Sequence, residues 1–400
     1  MNRQLKALFD IANKDEKWII GTMSGTSLDG LDIALCKVKG HGKQTTLELV
    51  HFTTQPYQQD YKDLITPLFA NSDARLEDVC LANTWVAHKH AAMINETLAG
   101  WHLQADDIDL LASHGQTVFH APRHSHSQPN MPNATLQIGD GDHIAQLTGI
   151  ITISDFRQKH VAAGGEGAPM VKYGDYLLFV DDNEYRVLLN LGGIANLSVI
   201  PPKAYFSDII STDTGPANTF MDALVQQHLA PKRYDHNGEL AAKGVIDDAL
   251  LTKLLTHPFL TLPCPKSTGQ EAFSITWLNE QLTQCNLTDI ALEDMLATLC
   301  AFSAKCVANA INQLIPAQQA LTIYVSGGGA HNAQLLAYIN AYLPNATLKS
   351  MSALGINVDA KEAALFALLA NECICSDASV TFANSSHAPA VSMGKICLPN

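Results

Sequence analysis

One short design occurs twice in this chain of 400 residues: an apolar arm rich in β-formers, a tip of small polar residues, and a second apolar arm. The first copy, residues 18–35, reads W-I-I-G-T-M-S-G-T-S-L-D-G-L-D-I-A-L, and its Asp29-Gly30 pair is a strong hairpin turn signal. Gly25 lets backbone amides approach an anion, and Ser24, Thr26 and Ser27 add hydroxyls, so the tip can cradle phosphate oxygens without a lysine. The same composition also suits an ordinary turn. The second copy, residues 186–200, reads R-V-L-L-N-L-G-G-I-A-N-L-S-V-I, with Gly192 and Gly193 at its tip. Two hairpins of one plan, one early in each half, predict a duplicated architecture with a phosphate held between the halves, although the two stretches share little identity.

Length agrees, because 400 residues exceed what one hydrophobic core serves well. The boundary is placed near residue 160, giving domains 1–160 and 161–400. There Gly164, Gly165 and Gly167 free the backbone and Pro169 restrains it. Asp and Glu number 39 against 25 Lys and Arg, and the net charge of −14 opposes nucleic acid and anionic membrane surfaces. The nine cysteines are scattered without C-x-x-C spacing, which suggests neither a disulfide framework nor a zinc site. No signal-like leader and no bilayer-length apolar run is read, so the chain is placed in the cytoplasm.

Further strands are predicted over 47–52, 108–112, 150–154 and 321–325, and helices over 82–103, 241–255, 290–314 and 333–343. The strand at 108–112 delivers S-H-G-Q-T-V-F-H, residues 113–120, to a strand end, where ligand contacts commonly sit. Taken alone, His114 and His120 each read first as turn or core histidines. His124 and His126 fall in an exposed loop over 122–132, and 137–142 reads as a turn. Arg157 is a cation able to meet an acidic group, or a surface arginine. In S-T-D-T-G-P-A-N, residues 211–218, Pro216 can open a helix, and Asp213 is either a carboxylate at a cleft mouth or that helix's cap. The loop 266–271, K-S-T-G-Q-E, has no assigned purpose. Gly327, Gly328 and Gly329 sit at a strand-to-helix junction, which admits a flat ring or a phosphate, or merely a tight turn. Residues 355–370 read as a helix apolar enough to be buried, whose 357–370 part packs back on the first domain; Glu362 inside it faces solvent or a ligand.

Three glycine-rich strand ends in this order resemble the phosphate, phosphate and adenosine elements of the sugar kinase, heat-shock ATPase and actin superfamily. Within it, M-S-G-T-S-L-D-G-L-D, S-H-G-Q-T, D-F-R with A-A-G-G-E-G-A-P, N-L-G-G-I-A-N, D-T-G-P-A-N, K-S-T-G and S-G-G-G-A-H-N together resemble the anhydro-N-acetylmuramic acid kinases of bacterial cell-wall recycling, over about residues 18–370. The resemblance implies an α/β chain of two duplicated actin-like (ribonuclease H-like) domains with a nucleotide and substrate cleft between them, closing on its ligands. It implies ATP-dependent opening of 1,6-anhydro-N-acetylmuramic acid by water, its phosphorylation to N-acetylmuramic acid 6-phosphate, release of ADP, and a homodimer.

Carried over by motif, the nucleotide stretch falls on Gly25, Thr26, Ser27, Leu28, Asp29, Gly30, Leu31 and Asp32, joined by Gly192, Gly193, Gly327, Gly328 and Gly329. The catalytic aspartate falls on Asp213. Sugar contacts fall to Gln116, Thr117, Arg157 and Asn218, with Arg157 for the lactyl carboxylate and Glu362 as a further candidate. Gln158, Lys159 and His160 stand where relatives often carry more basic residues. Phosphoryl transfer asks for positioning and charge neutralisation, from hairpin amides and Mg2+ whose ligands stay unassigned; one carboxylate can take the proton of the attacking water. A chaperone-like ATPase would need a peptide-binding or filament-forming segment that is not found. A hydrolase would want G-x-S-x-G, whereas residues 21–25 read G-T-M-S-G, with the serine one place late.

Overall fold

In the computed structural model, residues 2–400 are described except 124, 127, 168, 169, 270, 271, 288, 356, 358 and 382–388. His124 and Pro169 therefore lie outside the described residues. The chain divides into two units, Met1–Leu178 with Tyr205–Ser207 and Gly355–Asn400, and Phe179–Ala204 with Asp208–Leu354. The boundary read from sequence at residue 160 is thus displaced: residues 161–178 and 355–400 belong to the first unit.

In the first unit β1 (Glu16–Ser24), β2 (Gly30–Lys39) and β3 (Thr46–Pro56) form an antiparallel meander. Beside β1 lies the parallel strand β4 (Leu110–Ala121), which pairs antiparallel with β5 (Ala134–Ile138) and parallel with β6 (Thr152–Ser154). The strand Lys395–Cys397 closes the sheet against β6. Ile20, Leu31, Ile33 and Leu35 pack under the helix Leu76–Gly100 through Val86, Ile94 and Leu98. Because strand side chains alternate, Gly21 looks out of the other face, and there the helix Lys361–Cys375 lies so close that a Cβ on Gly21 would stand 1.9 Å from the Ala363 carbonyl oxygen. This is the helix expected over 355–370, and it begins at Lys361.

The second unit repeats the plan. β7 (Arg186–Leu191), β8 (Ile194–Ile200) and β9 (Ile210–Pro216) form an antiparallel meander, β10 (Leu321–Ser326) runs parallel beside β7, and β11 (Ala346–Ser350) runs parallel beside β10. The strand order β9-β8-β7-β10-β11 matches β3-β2-β1-β4-β6 in sequence order and in strand sense. The duplication is therefore visible in topology where sequence identity had faded. The core helix Leu292–Leu314 is, by length and composition, long and apolar enough to cross a bilayer, which corrects the reading that no such segment exists. Here it is buried, with Leu296, Leu299, Phe302 and Val307 packed beside Val187, Leu197 and Phe220.

Three local expectations change. Residues 113–120 lie within β4, not beyond its end, because the strand continues through a register shift beside Gly115, which takes φ +75°. The helix expected over 241–255 is a short turn, Ala241–Lys243, followed by the helix Asp248–Leu254, which Asp247 caps by accepting from the Leu250 amide at 2.8 Å. Pro216 ends β9, and the next helix begins at Thr219 with Asn218 before it. Asp213 is thus a strand residue, and its capping role falls away.

Candidate functional site

The first hairpin turns at residues 25–29, with Leu28 at φ +54° and its side chain buried. Gly30 is fixed by packing, since a Cβ would stand 2.5 Å from the Gln55 carbonyl oxygen. Gly25 has open space, its Cβ meeting nothing nearer than Ser27 Oγ at 3.5 Å. The tip therefore offers its backbone to the cavity in front of it. That cavity holds about 470 Å³ and brings Gly25, Thr26, Ser27, Thr117, Arg157 and Glu362 together. Five residues predicted from three separate motifs thus meet Glu362 in one place. Leu31 is buried in the core instead, and Asp29 turns to its own loop, accepting from Ser27 Oγ and the Gly30 amide.

Arg157 sits at the start of the short helix Phe156–Ala162, after Asp155, which adopts a left-handed backbone at φ +54°. Its Nε and Nη2 donate to His114 Nε2 at 3.3 and 3.0 Å, and its Nη1 donates to the Gly167 carbonyl at 2.7 Å. No carboxylate among the described residues stands within ion-pair distance of it, although Glu362 exerts a weaker, longer-range pull. Burial, with the Arg157 charge beside it, holds His114 down at about 3, so this imidazole is a neutral acceptor. A cation held by neutral acceptors inside a cavity is arranged to receive an anion. Burial also raises the Glu362 and Asp32 carboxyls; the Asp32 charge adds to the rise of Glu362, and the charges of Asp29 and Asp359 add to that of Asp32. Asp32 accepts from Thr54 Oγ1 at 2.5 Å.

Gln116 is placed differently from its expected sugar contact. It is fully buried, its Oε1 accepting from Ser24 Oγ at 2.6 Å and from Tyr61 Oη at 3.2 Å, and its Nε2 donating to the Gly25 and Thr117 carbonyls. Sequence reading missed Thr135 and Gln137, which line the same cavity together with His120, one of the two histidines it had singled out. Gln137 had been read only as part of a turn; its Nε2 in fact donates to Thr117 and Thr135 Oγ1.

In the second unit the tip of the β7–β8 hairpin is tied to the helix Thr219–His228: Gly193 O accepts from the Ala217 amide at 2.8 Å and Gly192 O from the Asn218 amide at 3.0 Å. The three glycines after β10 divide by role. A Cβ on Gly327 or Gly329 would collide with β7, whereas Gly328 meets only Asn218 Nδ2 at 3.6 Å. Gly328 and Asn218 line a cavity of about 340 Å³ with Asp222, Tyr234, His236 and His331. Asn218 thus joins the glycine motif in this unit. Burial raises the Asp222 carboxyl to about 6. Asp213 Oδ2 accepts from Ser267 Oγ at 3.0 Å and from the Thr268 amide at 2.8 Å, so the motif that starts at Lys266 meets Asp213; Gln270 and Glu271 lie outside the described residues. Lys266 turns away to the carbonyls of Phe259, Leu260 and Leu262.

Two copies of one five-stranded order, each with a glycine tip between its first two strands and a third glycine cluster after β10, define a duplicated actin-like (ribonuclease H-like) fold. Comparison with known proteins then narrows the class. The family described as Anhydro-N-acetylmuramic acid kinase matches residues 17–397. The chain is 48% identical to the anhydro-N-acetylmuramic acid kinase of Pseudoalteromonas atlantica, covering all of both chains. It is 44% identical to that of Pseudoalteromonas translucida over 99% of each chain, and 37% identical to that of Caldanaerobacter subterraneus subsp. tengcongensis over 98% of this chain and 99% of the relative. The chain belongs to the anhydro-N-acetylmuramic acid kinase family.

Proposed function

We propose that the protein phosphorylates 1,6-anhydro-N-acetylmuramic acid at the expense of ATP, opening the anhydro bridge with water and releasing ADP and N-acetylmuramic acid 6-phosphate in cell-wall recycling. The observation that carries this reading is the first unit's cavity, where an open glycine tip suited to phosphate shares one space with a cation that lacks an anionic partner among the described residues. The tip amides of residues 25–27 would receive phosphate oxygens, and Arg157 the lactyl carboxylate, with Thr117 beside it. The cavity around Gly328 suits the nucleoside, offering Tyr234 and His236 as ring faces and Asp222 as an acceptor.

Asp213 takes the part of general base. With Oδ2 held by Ser267 and Thr268, its Oδ1 has no partner among the described residues and can take a proton from water. In that step water forms a bond to the anomeric carbon as the bond from that carbon to the bridging oxygen breaks. The freed 6-oxygen forms its bond to the γ-phosphorus, and the bond between that phosphorus and the β-γ bridging oxygen breaks to leave ADP. The donor set of the first unit fits Mg2+ arriving with the nucleotide: Asp32 and Glu362 are carboxyls both raised by desolvation, the Asp32 charge adding to the rise of Glu362, and no cluster of three or more possible metal ligands among the described residues forms a cage of its own. Bound there, Mg2+ would neutralise phosphate charge. A homodimer acting in the cytoplasm belongs to the same reading, and sedimentation at micromolar concentration tests the dimer.

Two measurements test the activity. ADP release should depend on the anhydro sugar, and reaction in oxygen-18 water should place label on the sugar's 1-hydroxyl and none in its 6-phosphate. ADP release indifferent to the sugar, or label found only in free phosphate, would overturn the proposal.

A further inference from the structure

Behind the first hairpin tip lies a set of polar groups that the proposed chemistry does not use. Ser24, Tyr57, Tyr61, His90 and Gln116 are each at most 6% exposed, yet each carries a hydrogen-bonding side chain. They come from five separate places: the end of β1, the residue after β3, the helix Gln59–Ile65, the helix Leu76–Gly100, and the middle of β4. Tyr57 Oη lies 2.7 Å from Ser24 Oγ and 2.9 Å from His90 Nε2, and Tyr61 Oη lies 3.1 Å from the same nitrogen. The two phenol rings stack with centroids 3.7 Å apart and planes 1° apart.

The protons can be assigned by counting. His90 Nδ1 has no partner, so a proton there would be a buried donor left unused. Placing it on Nε2 lets every donor act once: His90 Nε2–H donates to Tyr57 Oη, Tyr57 O–H to Ser24 Oγ, Ser24 O–H to Gln116 Oε1, and Tyr61 O–H to the same Gln116 oxygen. Gln116 Nε2 then donates to the Gly25 and Thr117 carbonyls, and the Tyr57 amide donates to the Asp29 carbonyl at 3.1 Å. Both ends of the chain of bonds thus finish on the hairpin tip. Ser24, having donated inward, has no proton left for a ligand. Burial keeps His90 neutral, at about 3, and keeps both phenols protonated, so the chain carries no charge at ordinary pH.

We infer that Tyr57, Tyr61 and His90 are positioning residues, forming a neutral relay that sets Ser24 and Gln116 and through them holds the Gly25 tip in the shape that receives nucleotide phosphate. The inference rests on the nucleotide role proposed for that tip. Five buried polar groups cost stability wherever they are imperfectly paired, and apolar side chains of the same size would fill the space more cheaply. What the polar set adds is direction, because a relay in which each proton has one destination permits one tip geometry.

The test uses Tyr57→Phe, His90→Gln and His90→Leu in the full chain, with calorimetric titration of a non-hydrolysable ATP analogue, KM for ATP and for the anhydro sugar, and thermal melting. Phe keeps the stacked ring but removes the donor to Ser24, so the analogue Kd and the KM for ATP should rise about five-fold, the worth of one neutral hydrogen bond, with the sugar KM changing less than about two-fold. Gln can replace the Nε2 donor and Leu cannot. Nucleotide affinity should therefore run wild type, then Gln, then Leu, even though a purely packing role would favour Leu over a buried Gln. Unchanged analogue affinity in Tyr57→Phe, or His90→Leu binding the analogue as well as His90→Gln, overturns the inference. A wild-type chain that binds no analogue at all would instead overturn the nucleotide reading, so the two failures are separable.

Discussion

Arg157 gives the sharpest test of substrate choice. Three of its five N–H donors are engaged, by His114 Nε2 twice and by the Gly167 carbonyl once, which leaves two free to meet a carboxylate as a pair. A charge-assisted hydrogen bond contributes about 1.5–3 kcal/mol, so two at the low end give about 3 kcal/mol, or roughly 10²-fold in kcat/KM. Arg157→Leu should therefore lose about 10²-fold on 1,6-anhydro-N-acetylmuramic acid. On the same sugar without its lactyl group, 1,6-anhydro-N-acetylglucosamine, the loss should be within about three-fold, because the interaction removed was never made. Arg157→Lys keeps the charge but cannot fork between His114, Gly167 and a ligand, and should recover only part of the difference. The assay is coupled ADP release on both sugars, with melting curves as the control for folding. Folding should survive in Arg157→Leu, since the change removes a partly buried cation whose burial already opposes its charge, along with the bonds that hold it. Equal losses on the two sugars would refute the carboxylate role and leave Arg157 as a strut for the loop at Gly167.

Other residues separate by the same kind of reasoning. Gly25→Val should fold normally, because its Cβ has room, yet weaken binding of an ATP analogue at least about ten-fold by calorimetry, since the added branch stands where phosphate must approach. Gly30→Ala should instead lower the melting temperature, since its Cβ would stand 2.5 Å from the Gln55 carbonyl oxygen. Asp213→Asn keeps a group able to accept from the Thr268 amide but lacks basicity, so kcat should fall roughly 10²- to 10⁴-fold with sugar Kd little changed; a large rise in Kd with kcat retained would make it a positioning residue. Burial lowers His90 and His114 to about 3 in the folded chain against 6.5 for a free imidazole, so the unfolded state binds more protons between those values and stability falls as pH drops through them. His90→Gln should reduce that pH slope by up to about 1.4 kcal/mol per pH unit in urea unfolding at pH 7, 6 and 5, and an unchanged slope would show that His90 is not buried neutral.

What could be read from the sequence was what repeats locally. The apolar, β-forming arm over residues 18–24 and the Asp29-Gly30 turn foretold β1 and β2, and the same design around Gly192 foretold β7 and β8. Where strand chemistry departed from the usual residues, reading stopped early. β4 continues past Ala112 through Ser, His, Gly and Gln, which look like a loop, because the bulge at Gly115 lets it keep pairing with β1 and then with β5. Contacts made across long stretches of chain left no local mark at all. Ser267 meets Asp213, 54 residues earlier, and nothing near Tyr57, Tyr61 or His90 announces that the three share one site.

The glycines show why residue type alone could not finish the task. Gly25, Gly30, Gly327, Gly328 and Gly329 were all assigned to the nucleotide because a missing Cβ permits close approach, but the sequence does not say what approaches. At Gly30 it is β3, and at Gly327 and Gly329 it is β7. At Gly25 and Gly328 the added carbon would meet nothing nearer than 3.5 Å, and these are the two of the five that line cavities. Had they been required for packing, their glycine character would be fully explained by the fold. With room for a side chain on each, packing in the fold does not demand glycine there, and the ligand roles proposed for these two positions would be a physical reason for it, since a ligand could then come as close as a Cβ would stand.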